Sequence, residues 1–185
     1  ALDANTTGTQ NVAIGTYSLT GNTTGTNVAV GYLAMQDNTT GTRNIAIGTE
    51  ALKNNTTADD NIAIGKDAMG SNTTGTRNLA IGKGAYDASD TEDDNIAIGY
   101  QAMTTDTAGG EKNIALGNYA LDALTSGDGN TAVGMSALSA TSTGGYNTAV
   151  GRGALIANTT AQNNTAVGNY SLGANTTGAS NVAMG

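Results

Sequence analysis

The chain has no cysteine, no histidine, no phenylalanine and no tryptophan in 185 residues, and each absence removes a class of function. Without Cys there can be neither a disulfide framework nor a thiolate metal site, and the redox compartment cannot be read. Without His the usual general base and the commonest metal ligand are gone. Val, Ile and Leu together number only 28 against a net charge of -8, a combination that by composition alone favours disorder over a packed globule. No apolar run approaches the roughly 20 residues of a membrane-spanning helix, and nothing resembles a signal peptide. The surplus of 15 Asp plus Glu over 7 Lys plus Arg argues against nucleic acid as a partner, because phosphate binding needs clustered cations.

What the chain does have is repetition. The phrase Asn-x-Ala-(Ile/Val/Leu/Met)-Gly begins at Asn11, Asn27, Asn44, Asn61, Asn78, Asn95, Asn113, Asn130, Asn147, Asn164 and Asn181, at a spacing of 17 apart from one interval of 16 and one of 18. A period held that tightly means one structural unit stacked on the next, and a solenoid needs only a thin core because each coil covers its neighbours. The composition prior is therefore overridden. Residues 1–185 are a single repeat array, with ten complete repeats over 11–180 and a partial repeat at each end. No polar capping sequence is visible, so the array is expected to be an excerpt of a longer fibre.

Within a unit numbered from its Asn, positions 2 and 4 carry the larger apolar side chains and position 3 is always Ala. This is the period-two pattern of a short strand with a large face and a small face. Position 5 is Gly15, Gly31, Gly48, Gly65, Gly82, Gly99, Gly117, Gly134, Gly151, Gly168 and Gly185, which suits a positive φ or a close backbone approach that ends the strand. Positions 8 (Ala or Ser) and 9 (Leu, Met or Tyr) form a second short segment, read as a strand whose two residues oppose each other. A turn built on Asn-Thr-Thr-Gly or a polar relative follows. One apolar set can fill the coil, leaving the other in need of a partner, which points to chains packed side by side around an axis.

Two rows carry the expectation of in-register stacking. The Asn at position 1 is expected to stack amide on amide from coil to coil, a structural ladder rather than an exposed array. Just before it stand Arg43, Asp60, Arg77, Asp94 and Lys112, alternating in sign, so that each charge in a stack lies between two opposites. Exposed pairs are individually weak, which makes this row a register device more than a source of stability.

The phrases Asn11-Val12-Ala13-Ile14-Gly15, Asn44-Ile45-Ala46-Ile47-Gly48 and Asn61-Ile62-Ala63-Ile64-Gly65 resemble the repeats of YadA-type trimeric autotransporter adhesin heads. The segment Ala51-Leu52-Lys53-Asn54-Asn55-Thr56-Thr57 is similar to shaft repeats of phage tail fibres. The resemblance spans the whole chain and implies an all-β fold, a left-handed parallel β-roll with three chains around an axis, at an extracellular cell or virion surface. The adhesin-head unit is shorter, near fourteen residues, and no coiled-coil stalk or membrane anchor is present here.

The expected function is a structural and adhesive surface fibre, with the chain itself as partner and a host glycan or protein as receptor. It is not expected to be an enzyme, and no cofactor, metal, nucleic acid or membrane span is expected in this segment. The alternative is an ice- or glycan-binding Thr/Asn array. Thr-Gly-Thr recurs at residues 7–9, 24–26, 40–42 and 74–76 but is broken at Thr57-Ala58-Asp59, Thr91-Glu92-Asp93, Thr107-Ala108-Gly109 and Thr160-Ala161-Gln162. Calcium at Asp59-Asp60 or Glu92-Asp93-Asp94 lacks the alternating ligand spacing of a binding loop. The glycosylation pattern at Asn5, Asn22, Asn38, Asn55, Asn72, Asn158 and Asn175 reads more strongly as a turn-forming Asn before Thr, which gives the same string. Tyr17, Tyr32, Tyr100, Tyr119 and Tyr170 follow the Gly at positions 6 and 7, where an exposed ring could stack on sugar.

Overall fold

In the computed structural model, residues 1–105 and 109–185 are described, and they form one parallel β-solenoid. Each unit contributes a single three-residue strand: β1 (Val12–Ile14), β2 (Val28–Val30), β3 (Ile45–Ile47), β4 (Ile62–Ile64), β5 (Leu79–Ile81), β6 (Ile96–Ile98), β7 (Ile114–Leu116), β8 (Thr131–Val133), β9 (Thr148–Val150), β10 (Thr165–Val167) and β11 (Val182–Met184). The eleven strands make one sheet in chain order, every neighbour parallel and every register equal, so Ala46 pairs with Ala63 and Ala63 with Ala80. The 16- and 18-residue intervals leave this register intact, since Ala13 pairs with Ala29 and Ala97 with Ala115. At a strand spacing of about 4.8 Å, ten rungs span roughly 50 Å.

The expected second strand does not form. Positions 8 and 9 do bond from rung to rung, as in Leu52 N–H to the Ala68 carbonyl at 3.0 Å. Their backbone is nevertheless a turn, because positions 7 and 9 are left-handed: Glu50 has φ 59° and Leu52 φ 48°, and the same pair of angles recurs along the stack. Alternation fails across such a pair, so Ala51 and Leu52 both point inward and are fully buried instead of opposing each other. A left-handed non-Gly residue costs about 1–2 kcal/mol. That cost is offset by burial of the position-9 side chain and by backbone bonds to the rungs on either side.

Position 17 is left-handed as well, at Arg43 (φ 60°), Asp60 (φ 62°), Arg77 (φ 59°), Asp94 (φ 63°) and Lys112 (φ 59°). The 16-residue coil Asn11–Thr26 is the one that omits this residue.

The core is thin and made chiefly of Ala. Position 3 (for example Ala63, Ala80, Ala97) and position 8 (Ala68, Ala85, Ala102) are fully buried, and position 9 supplies the bulk through Leu19, Met35, Leu52, Met69, Tyr86, Met103, Leu121, Leu138 and Leu155. Inside the coil, then, lies the small face of the strand. The larger side chains at positions 2 and 4 point outward and are half-buried or exposed.

Candidate functional site

The position-1 Asn residues lie inside the coil, buried from Asn27 through Asn164. From Asn27 to Asn147 each bridges two rungs by bonds to backbone. The Asn61 Oδ1 accepts the Asn78 N–H at 2.9 Å, and its Nδ2 donates to the Gly75 carbonyl at 2.7 Å. The acceptor bond recurs without a gap from Asn11 to Asn181, for example Asn27 N–H to Asn11 at 2.7 Å and Asn181 N–H to Asn164 at 2.9 Å. Amide-on-amide contact of the expected kind is secondary; it occurs in some steps only, such as Asn147 Nδ2 to Asn130 Oδ1 at 3.1 Å. An Asn here is what lets one side chain satisfy both a donor and an acceptor of a turn that has no ladder of its own.

A second internal file was not read from the sequence. Position 12, the Asn of Asn-Thr-Thr, is also buried, with Asn22, Asn38, Asn55, Asn72 and Asn158 at 0 % exposure. These amides do stack directly: Asn38 Nδ2 donates to Asn22 Oδ1 at 2.8 Å, and Asn55 Nδ2 to Asn38 Oδ1 at 2.7 Å. Buried amides of this kind have no access to a glycosyl donor in the folded chain. The sequence signal was present, an Asn at fixed distance from the first, but it coincided with ordinary turn chemistry.

The Gly at position 5 meets both conditions expected of it. Gly65 has φ +139°, and a Cβ there would collide with the Gly82 carbonyl oxygen of the next rung. Gly15, Gly31, Gly48, Gly82, Gly99, Gly117, Gly134, Gly151 and Gly168 share the geometry, and Gly185 shares the angle.

The charge row makes its direct ion pairs upward from each Arg, while the field of the next cation, Arg77 for Asp60 and Lys112 for Asp94, also favours the ionised carboxylate. Arg43 grips Asp60 through Nε at 2.6 Å and Nη2 at 2.9 Å, with Asp59 at 3.3 Å. Arg77 does the same with Asp94 at 2.6 and 3.0 Å and Asp93 at 3.2 Å. The guanidinium bonds hold the Asp60 and Asp94 carboxyls below the usual carboxylate range. Among the described residues Asp60 makes no ion pair with Arg77, and Lys112 pairs with Glu111 at 3.4 Å instead of Asp94. Each Arg fork is turned toward the carboxylates of the rung above, and its Nη1 donates to the preceding Thr hydroxyl, Arg43 to Thr42 and Arg77 to Thr76, both at 2.8 Å. These same bonds occupy the carboxylates weighed for calcium. Glu92 is buried, its carboxylate accepting the N–H groups of Asp90, Thr91 and Gly109 at 3.1, 3.2 and 3.0 Å.

Threonines of the turn divide by position. At position 13 the hydroxyl is used inside the stack, as in Thr39 to the Thr56 carbonyl at 2.9 Å and Thr56 to the Thr73 carbonyl at 3.0 Å. At position 14, Thr24, Thr40, Thr57, Thr74, Ser126, Thr143 and Thr160 are exposed. The breaks in Thr-Gly-Thr at Ala58 and Ala161 fall one position later and leave this outer file whole; Thr107 and Ala108 lie outside the described residues. The tyrosines form separate pairs, Tyr17 with Tyr32 at 6.4 Å and Tyr100 with Tyr119 at 5.4 Å, both edge to face. Lys83 lies 5.8 Å from the Tyr100 ring and Arg152 5.6 Å from that of Tyr170.

A groove of about 270 Å³ is lined by Glu50, Lys53, Asn54, Asp67, Gly70, Ser71 and Asp87. Burial, with Asp67 and Glu50 nearby, raises the Asp87 carboxyl. Among the described residues no group of three Asp, Glu, His or Cys is placed to hold a metal ion, and no helix is long and apolar enough to cross a membrane. No family model, curated protein or solved structure matches the chain.

Proposed function

We propose that this chain is a stretch of a surface fibre, a rigid β-solenoid shaft that holds a binding surface away from a cell or virion and takes part in attachment. The observation that carries the reading is the equal register of all eleven strands, in which every added unit lengthens the stack by one rung. The side-chain chemistry is spent on that stacking: two buried Asn files, a glycine row and paired charges all join one rung to the next. In this reading the roll is left-handed and trimeric, as the resemblance to YadA-type heads implies.

The test is length scaling. Arrays of one, two and four times this chain, anchored to a surface at one end and tagged at the other, are expected to raise the tag by about 53 Å per added copy, at eleven rungs of about 4.8 Å. A tag height that grows only as a compact globule grows would defeat the proposal.

A second reading is favoured by one observation, the outer position-14 hydroxyl file, exposed from Thr24 to Thr91 without a gap. Such a file suits sugar or ice rather than a charged ligand. Thermal hysteresis measurements and binding to insoluble polysaccharides separate the two, and a null result in both removes the reading.

A further inference from the structure

We infer that the edge formed by positions 6 and 7, from Lys83 to Tyr170, is a binding track for a linear polysaccharide that alternates acidic and neutral sugars, laid along the rod. The inference rests on the attachment half of the fibre reading and names a ligand class and the row that takes it. Of the seven Lys and Arg in the chain, Arg43, Lys53, Lys66, Arg77 and Lys112 each hold a carboxylate. Among the described residues Lys83 and Arg152 hold none, and both stand at position 6 beside a tyrosine one rung further on. From Lys83 onward positions 6 and 7 carry no Asp or Glu, whereas the two rungs before it hold Glu50 and Asp67 at position 7. In a chain of net charge -8, an anionic ligand is repelled by most of the surface and meets unneutralised cations on this edge.

The surroundings of the two cations select sugar over other anions. Tyr100, Tyr119 and Tyr170 are 38, 39 and 47 % exposed. The Tyr170 ring is seated against Gly153 of the rung below, where a Cβ would collide with its Cδ1 and Cε1 atoms. A seated, half-exposed ring costs a ligand little ordering and offers apolar surface beside a hydroxyl, the combination that the C–H face and hydroxyls of a sugar match. Tyr100 and Tyr119 meet edge to face and present a corner rather than a plate. Asp122, on the same rung as Tyr119, is close enough for its charge to act on the Tyr119 hydroxyl, so the middle of the track suits a neutral sugar and the cations suit the acidic ones. Lys83 and Arg152 are four rungs apart, about 19 Å. A pyranose unit in an extended chain is about as long as one rung is tall, so an alternating polymer returns a carboxylate to the second cation after four units. Two cations are too few for a nucleic acid, whose charge recurs at every phosphate.

Short hyaluronan oligosaccharides, which alternate glucuronate with a neutral sugar, are the probe. Calorimetric titration of the unmodified chain is expected to show binding that weakens as salt rises, and none to neutral dextran. Arg152→Gln and Tyr170→Ala are each expected to raise Kd roughly fivefold with an unchanged β-type dichroism spectrum. Lys66→Gln removes the same charge from the same row, but Asp67 already pairs with that lysine at 3.1 Å, so Kd is expected to stay where it is. A loss in Lys66→Gln as large as that in Arg152→Gln would show that net charge alone governs binding and would overturn the inference. Polyglutamate binding as well as hyaluronan would overturn it too, since the rings would then select nothing. No binding of hyaluronan by the unmodified chain rejects the track whatever the variants do. A rod that lengthens rung by rung yet binds no hyaluronan loses this inference alone, and the length-scaling test of the fibre reading stands apart from it.

Discussion

Between Asn22 and Asn72 both internal Asn files run without a gap, whereas from Ser89 to Leu124 only the position-1 file continues. The first region is uniform: Leu or Met at position 9, Gly or Ala at position 15. The second replaces them with Tyr86, whose hydroxyl meets the Asn95 amide, with the buried Glu92, and with Leu124 where an Asn would stand. The difference separates what each file does. Position 1 accepts the N–H of the next Asn on the stack, a bond position 12 does not make, and it is retained through the irregular rungs. Position 12 mainly satisfies its own neighbours, so it can give way to apolar filling where other groups close its ends. Thr141 closes the far end, donating to the Asn158 carbonyl at 3.1 Å and accepting from the Asn158 amide at 3.4 Å. At the near end, Asn72 Oδ1 and Ser89 Oγ are buried without a hydrogen-bond partner among the described residues.

The contrast can be broken first at position 1. Asn61→Leu strips partners from the Asn78 N–H and the Gly75 carbonyl; although Asn72 still reaches that carbonyl, the loss is expected to be about 3 kcal/mol in urea unfolding. The same change at position 12 should hurt less. In Asn38→Leu the Asn55 amide keeps the Ala58 carbonyl, and Asn22 keeps the amide of Asn27, so about 2 kcal/mol is expected. Equal losses in the two variants would remove the distinction between the files. Ser89→Asn acts in the opposite direction: a donor restored above Asn72 is expected to stabilise by about 1 kcal/mol, read as a higher midpoint in the same titration.

The smallest effect lies at the edge of the irregular region, at Asp87. Burial raises its folded pKa, so the ionised form opposes folding at neutral pH and that penalty fades as pH falls through the raised value. Asp87→Asn is therefore expected to raise Tm slightly at pH 7, with the gain vanishing in acid. A gain that grows on acidification would contradict the assignment.

Much of this architecture was legible in the sequence because it rests on residues that cannot vary. Asn at position 1, Ala at position 3 and Gly at position 5 each answer to a single geometric demand, and their recurrence places one strand above another. What stayed hidden was the path between strands. Glu50, Leu52 and Arg43 are poor left-handed residues by local preference, and only rung-to-rung bonding and burial hold them there. For that reason positions 8 and 9 read as a second strand when they are two successive inward side chains. The position-12 file was masked differently, since Asn before Thr-Thr already has a sufficient local explanation as a turn. The charge row was visible as a pattern but not as pairs, because sign alone does not reveal that each Arg fork reaches upward.

One measurement bears most directly on the stacking itself. Spin labels placed at position 6 through Thr49→Cys combined in turn with Asn118→Cys, Arg152→Cys and Asn169→Cys lie four, six and seven rungs apart. With labelled chains diluted in unlabelled protein, pulsed dipolar spectroscopy is expected to give distances near 19, 29 and 34 Å, a straight line of about 4.8 Å per rung. Distances that do not rise with rung number would contradict a seventeen-residue coil stacked in register.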